Sequence, residues 1–269
     1  MLQTQENKVV EEYLLNTDYS SDTSYATSDV ATYAGLSTQY VKSRPAPVTI
    51  KWNVVSGATS QVLDVSESML FDGAWSFTFN ANASNYDVFN LCPTKKYYWR
   101  IRSLVNSVYS VTSRGEVDIC GQCRMLDIDG EGTLNFRDLG GWKGLNGKRI
   151  KYGRLIRGAE VYREGLIEIS AAGIDTLVTK LKIDVELDFG DFSDYSPLEA
   201  EGVEFIHGAE TYGIIGYNYP DRASIANATG RVRFYNCLNA VITALGTGKN
   251  IYFHCNAGAD RTGTFAFII

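Results

Sequence analysis

Cys255 and Arg261, separated by five residues, stand in the run Asn250-Ile251-Tyr252-Phe253-His254-Cys255-Asn256-Ala257-Gly258-Ala259-Asp260-Arg261-Thr262-Gly263 near the end of the chain. A short apolar segment leads into the cysteine, and a segment able to form a helix follows the arginine. This spacing lets a loop wrap around a tetrahedral oxyanion. The backbone N–H groups of Asn256, Ala257, Gly258, Ala259, Asp260 and Arg261 can turn inward, and the N-terminus of the next helix adds positive potential. Arg261 can offer two parallel donors to two oxygens of a phosphate. The same field favours the thiolate of Cys255, the reactive form of a cysteine. A thiolate, a guanidinium fork and an amide cradle together fit nucleophilic attack on phosphorus. The simpler reading is a buried cysteine at a strand end with a surface arginine nearby, and the surrounding Gly258, Thr262 and Gly263 argue against it.

His254-Cys255, five residues, then Arg261-Thr262-Gly263 resembles the signature of the cysteine-dependent protein tyrosine phosphatases, in particular a bacterial branch. A second string, Asn135-Phe136-Arg137-Asp138-Leu139-Gly140-Gly141, resembles the motif that opens the same branch. Lys151-Tyr152-Gly153-Arg154-Leu155-Ile156-Arg157-Gly158-Ala159-Glu160 is similar to the segment that follows it. Paired glycines permit a tight turn, and Arg137 with Asp138 can form an ion pair that shapes the site. The resemblance implies a nucleophile at Cys255, a phosphate clamp at Arg261 and a general acid at Asp260, with Asp191, Asp194 and Asp221 as alternative acids. It also implies that Thr262 donates its hydroxyl to the cysteine sulfur. His254, Asn135, Arg137 and Asp138 would support the loop. No metal and no cofactor is implied. The branch carries an Asp-Leu-Arg string; Asp188 matches its aspartate, but Phe189-Gly190 replaces the rest. Ala259 stands where a lysine is common, which favours phosphotyrosine over multiply phosphorylated ligands such as phosphoinositides.

Positioning such a loop takes a strand before it and helices around it. From about residue 125, helical and apolar segments alternate: a helix over Leu166 to Gly173, apolar segments at Asp175 to Val178 and Ile183 to Asp188, and a strand over Glu201 to Ile206. A helix follows over Arg231 to Leu245, with Val232, Tyr235, Leu238, Val241 and Leu245 on its apolar face. A strand at 250–254 feeds the loop. This order predicts an α/β domain over residues 125–269 with a mainly parallel sheet and the site at a strand's carboxyl end. Glu210 to Arg222, rich in tyrosine and glycine, reads as a wall of the cleft. Eight residues follow Arg261, where the family continues with further helices, so a truncated domain is expected.

Upstream the pattern is all-β. Val48, Ile50 and Trp52 alternate with polar residues, and segments at 61–66, 75–79 and 97–102 continue the series. Residues 46–119 resemble a fibronectin type III domain: Trp52 as early core tryptophan, Leu91 to Tyr97 as its tyrosine corner, Trp99 in the strand that follows. Trp52, Tyr97 and Trp99 are therefore expected in the core. The resemblance implies a sandwich that contacts another protein or the catalytic domain. Residues 1–45 read as a polar arm with a short helix from Glu6 to Leu15.

Composition is that of a globular protein, with 45% hydrophobic and 21% charged residues. A net charge of −6 gives no reason to expect nucleic acid as a partner. The basic residues Lys143, Lys148, Arg149, Lys151, Arg154, Arg157 and Arg163 cluster locally, as a solvated face. No eighteen-residue apolar span occurs, and residues 1–16 lack the pattern of a signal peptide. The chain is thus either cytoplasmic or secreted after loss of an upstream signal, with the β-sandwich favouring the latter. Five cysteines make no disulfide framework in a chain this long, and two histidines argue against a metal site. Cys120-Gly121-Gln122-Cys123 reads as a junction feature, with a local disulfide as one option. Two other functions remain: an inactive phosphate-binding relative whose sandwich carries the function, and thiol-dependent turnover of another oxyanion with Cys120 and Cys123 as resolving thiols.

Overall fold

The computed structural model describes residues 2–4, 45–122, 124–128, 135–190, 194–208, 228–258 and 260–269. The helix expected over 6–15, most of the polar arm, the cleft wall at 210–222 and Cys123 lie outside the described residues. The chain divides into two compact units, with the change from one to the other at Arg124 and Met125.

The first unit is built of strands. A five-stranded sheet has the order β1-β7-β6-β3-β4, from Leu2–Thr4 (β1), Ala58–Ser66 (β3), Trp75–Asn80 (β4), Lys96–Val105 (β6) and Val108–Cys120 (β7). Val48–Lys51 (β2) and Asn85–Val88 (β5) form a two-stranded sheet. Residues 2–4, read from sequence as part of the polar arm, pair in parallel with β7. Alternation decides which face is buried: Val48 and Ile50 are covered, whereas Thr49 and Lys51 are exposed. Tyr86 of β5 packs on Phe77 and Phe79 of β4, so aromatic rings join the two sheets. Several buried polar groups have partners, as burial requires. Trp52 donates Nε1–H to Gln61 Oε1 at 2.7 Å, and Gln61 donates to the Ala81 and Ala83 carbonyls, both at 2.8 Å. Asp64 accepts from Arg100 and Arg102. Burial would raise its pKa, but these bonds and one from Ser76 outweigh burial and hold it down to about 2. The Tyr97 hydroxyl accepts the Cys92 amide at 2.9 Å. Trp52 and Tyr97 are core residues, while Trp99 is only half-buried. Cys120 is a free thiol.

The second unit is organised around a six-stranded sheet of order β14-β13-β15-β10-β9-β8. Its strands are Arg124–Met125 (β8), Arg137–Asp138 (β9), Leu155–Ala159 (β10), Val185–Asp188 (β13), Glu204–His207 (β14) and Ile251–Cys255 (β15). β14, β13, β15 and β10 run parallel, and β9 is antiparallel to β10. Parallel strands carry core on both faces. Ile251, Phe253 and Cys255 alternate with Tyr252 and His254, and all five are buried. The odd-numbered set joins Val185, Leu187, Val241 and Phe265 in one apolar cluster. Tyr252 joins Phe136, Ile156, Leu177 and Leu198 in the other. Helices Ala228–Gly246 (α2) and Asp260–Ile268 (α3) contribute to the first cluster.

Four sequence expectations change here. The helix over 166–173 is instead a hairpin of Tyr162–Arg163 (β11) and Ile167–Glu168 (β12), followed by the short helix Ala171–Asp175 (α1). Ser170 caps α1 by accepting the Gly173 amide, so the helix starts where the sequence reading ended it. It runs into a π-helical turn, Thr176–Lys180, where an apolar segment was expected. The strand expected from 201 begins at Glu204, because Pro197–Glu201 forms a 3-10 turn closed by a Ser196–Glu199 capping box. In α2 the buried stripe runs through Phe234, Cys237, Leu238, Val241, Ala244 and Leu245. Val232 and Tyr235, expected on that face, are exposed.

Among the described residues, no helix is long and apolar enough to cross a membrane.

Candidate active site

Cys255 is the last residue of β15, at the carboxyl end of the parallel strands, and is 3% exposed. The chain then turns through Asn256, Ala257 and Gly258 and enters α3 at Asp260. Arg261 and Thr262 lie in the first turn of that helix, and both are buried. The strand, the turn and the helix thus bring Cys255, Arg261 and Thr262 to one end of the sheet. Ala259 and the Asp260 side chain lie outside the described residues, as do Asp191 and Asp221. Asp194 is exposed.

The turn has little room. Gly258 has φ +65°, and a Cβ there would stand 2.3 Å from the Gly158 carbonyl oxygen of β10. Only glycine meets both conditions. The loop's carbonyls are held from outside. The Glu160 amide donates to Asn256 O at 3.2 Å. Asn135 Nδ2 donates to Ala257 O at 2.7 Å, and Arg157 Nη2 donates to Gly258 O at 2.6 Å. Asn135, at φ +61°, occupies the left-handed region that Asn tolerates better than most residues. Arg137 pairs with Arg157 across β9 and β10. Asp138 accepts the Gly140 and Gly153 amides, both at 2.7 Å, and so fixes the turn that the paired glycines begin. Burial, and then the charge of Arg137, lower the pKa of Arg157 to about 9. It is still a cation at neutral pH.

Behind the cysteine, His254 faces two carboxylates of β13. Its register partner is Asp188, and Glu186 stands opposite Tyr252. His254 Nε2 hydrogen-bonds Glu186 Oε1 at 2.9 Å. Its Nδ1 lies 3.3 Å from Asp188 Oδ1, near enough for charge attraction but not aligned as a hydrogen bond. The ring also stacks on Tyr252. Burial would drive the imidazole neutral, but Asp188 and the bond to Glu186 outweigh it, and the pKa rises from 6.5 to about 9. His254 is therefore an imidazolium in the floor of the site.

One feature departs from the sequence reading, and one absence that it noted has a physical reason. Thr262 Oγ1 is buried and has no hydrogen-bond partner among the described residues, so the bond expected from Thr262 to the Cys255 sulfur is not formed in this structure. At 190 the structure explains the missing arginine: a Cβ on Gly190 would come within 2.7 Å of Asp188 Oδ1 and 2.9 Å of Asn256 Oδ1. Gly190 instead gives its amide to Asp188, and the Phe189 carbonyl accepts from Arg261.

Sequence reasoning missed Arg157 and Glu186. Arg157, read with the basic cluster as part of a solvated face, is instead half-buried and bonded to the loop. Glu186 carried a signal, since a carboxylate alternating with Val185 and Leu187 in a strand buried on both faces must find a partner. Among the described residues, no group of three or more His, Cys, Asp or Glu side chains is placed to hold a metal ion.

A profile of the tyrosine phosphatase family matches residues 128–269, more than half of the chain. A protein of Cupriavidus necator that carries a provisional name as a tyrosine-protein phosphatase is 32% identical over 160 residues. The match covers 53% of this chain and 56% of that relative, so the chain spans about half of the relative's length. The chain belongs to the tyrosine phosphatase family.

Proposed function

We propose that the chain hydrolyses phosphate monoesters through a phosphocysteine intermediate, as a protein tyrosine or dual-specificity phosphatase. The Cys255 thiolate attacks phosphorus, the S–P bond forms and the bond to the leaving oxygen breaks. That oxygen takes a proton from Asp260, the acid adjoining Arg261. Water, deprotonated by the same carboxylate, then attacks phosphorus, releasing inorganic phosphate and the thiolate. Arg261 and the loop amides hold the non-bridging oxygens through both steps. The Thr262 hydroxyl, a buried donor in the first turn of α3, stabilises the sulfur as it leaves. Nucleophile, clamp and acid come from the chain itself, so the scheme uses no metal and no cofactor.

The observation that carries this reading is the position of Cys255 at the carboxyl end of β15, with the buried Arg261 in the first turn of the next helix. Ala259 in place of a lysine favours phosphotyrosine over phosphoinositides. For the first unit, the bond from the Cys92 amide to the Tyr97 hydroxyl and the buried Trp52 support a fibronectin type III-like sandwich serving as a binding module. Such modules favour an extracytoplasmic setting.

The test is vanadate-sensitive hydrolysis of para-nitrophenyl phosphate by the wild type beside Cys255→Ser and Asp260→Asn. Loss of turnover in the serine variant supports the phosphocysteine route, and a loss in Asp260→Asn that shrinks with better leaving groups assigns the acid. A folded chain that binds vanadate without turnover is instead a phosphate-binding relative.

A further inference from the structure

Three successive carbonyls of the loop point away from it, and each meets a donor outside the loop. Asn256 O takes the Glu160 amide, Ala257 O the Asn135 side chain and Gly258 O the Arg157 guanidinium. A trans peptide is planar, with its N–H opposite its C=O. Holding the Asn256 and Ala257 carbonyls outward therefore aims the amides of Ala257 and Gly258 the other way, into the concave side.

We infer that Asn135 and Arg157 are positioning residues, which set the phosphate-gripping orientation of the loop amides by holding the backs of their peptide groups. This rests on the function proposed above, adds Arg157 to its machinery and gives the support expected of Asn135 a physical form. Arg137 Nη2 reaches Asn135 Oδ1 at 3.5 Å, which turns the NH2 end of that amide toward Ala257 O. The Arg157 guanidinium lies between Gly258 O and the start of α3, where a Cβ on Gly263 would meet its Nη2 at 3.5 Å. One planar group thus spans the loop and the helix that carries Arg261. A half-buried cation beside a second arginine is a costly brace, and burial and that neighbouring charge lower its pKa. Such a group is better explained by the orientation it enforces than by stability.

The test uses the full chain, with tungstate as an oxyanion probe and para-nitrophenyl phosphate as substrate. Arg157→Met removes the donors and keeps much of the volume; Arg157→Lys keeps the charge and one donor. Asn135→Gly removes the amide at a φ that glycine accepts, so it keeps the test open if the arginine variant does not fold. The expected result is tungstate binding weakened about tenfold in Arg157→Met and in Asn135→Gly, roughly one hydrogen bond to a charged group. KM should rise and kcat fall alongside, with the melting temperature nearly unchanged, and Arg157→Lys should recover part of the loss. Tungstate affinity and kcat/KM within about twofold of wild type in both variants, or losses that only track the unfolded fraction, would overturn the inference. A wild type that neither binds tungstate nor turns over substrate overturns the phosphatase reading itself, and this inference with it.

Discussion

The imidazolium of His254 gives the second unit a pH dependence whose sign and size follow from the structure. The group is buried between Glu186 and Asp188, with Cys255 also acting on it, and its pKa stands at about 9 against an ordinary 6.5. The folded state therefore binds the proton more tightly than the unfolded chain. The associated stability is fully present below about pH 6.5 and is lost as pH rises through about 9. At 1.36 kcal/mol per pH unit, that interval corresponds to about 3 kcal/mol. The perturbation is Glu186→Gln, which removes the carboxylate hydrogen-bonded to Nε2. The assay is urea denaturation of the second unit, followed from pH 6 to 10 in both proteins on a Cys255→Ser background, so that the thiol does not contribute. Wild type should lose stability steadily over this range, and Glu186→Gln should begin its loss at lower pH and lose less in total. Equal slopes in the two proteins, or a wild type that gains stability as pH rises, would refute the charged-histidine account.

Two further outcomes are expected. Gly258→Ala sets a Cβ 2.3 Å from a backbone oxygen at φ +65°, which should cost about 3 kcal/mol or more. It should lower the melting temperature by roughly 8 °C and abolish phosphate binding; a melting curve like that of wild type contradicts the close approach. Gly190→Arg, which restores the residue typical of the resembling branch, should lower kcat/KM by about tenfold or more, because its Cβ meets Asp188 and displaces Asn256. Unchanged or improved turnover in that variant would show that the cleft accepts an arginine there.

How far the sequence could be read depended on which residues carried a local signal. Cys255, Gly258 and Arg261 are tied to one another by spacing within a few residues, so the loop and its strand were legible at once. The second helix was legible as a helix, but its buried stripe was misplaced. Cys237 and Ala244 carry little hydrophobic weight yet face the sheet, whereas Tyr235 carries more and faces solvent. The hairpin of Tyr162–Arg163 and Ile167–Glu168 was taken for helix because Leu166, Ile167 and Ile169 fit either period over so short a stretch. The supports of the loop were harder to see. Arg157 and Glu186 act across strand neighbours distant in sequence, and only the parallel register places Glu186 against β15 and Arg157 under Gly258. A single sequence carries no direct record of that pairing.

The most direct test of the central claim is metal-free hydrolysis of para-nitrophenyl phosphate by wild type and Cys255→Ser, each checked for an intact fold. The account predicts turnover in wild type, inhibition by vanadate, and no turnover in the serine variant. Equal activity in the two proteins, or a folded wild type that releases no phosphate from any monoester, would contradict it.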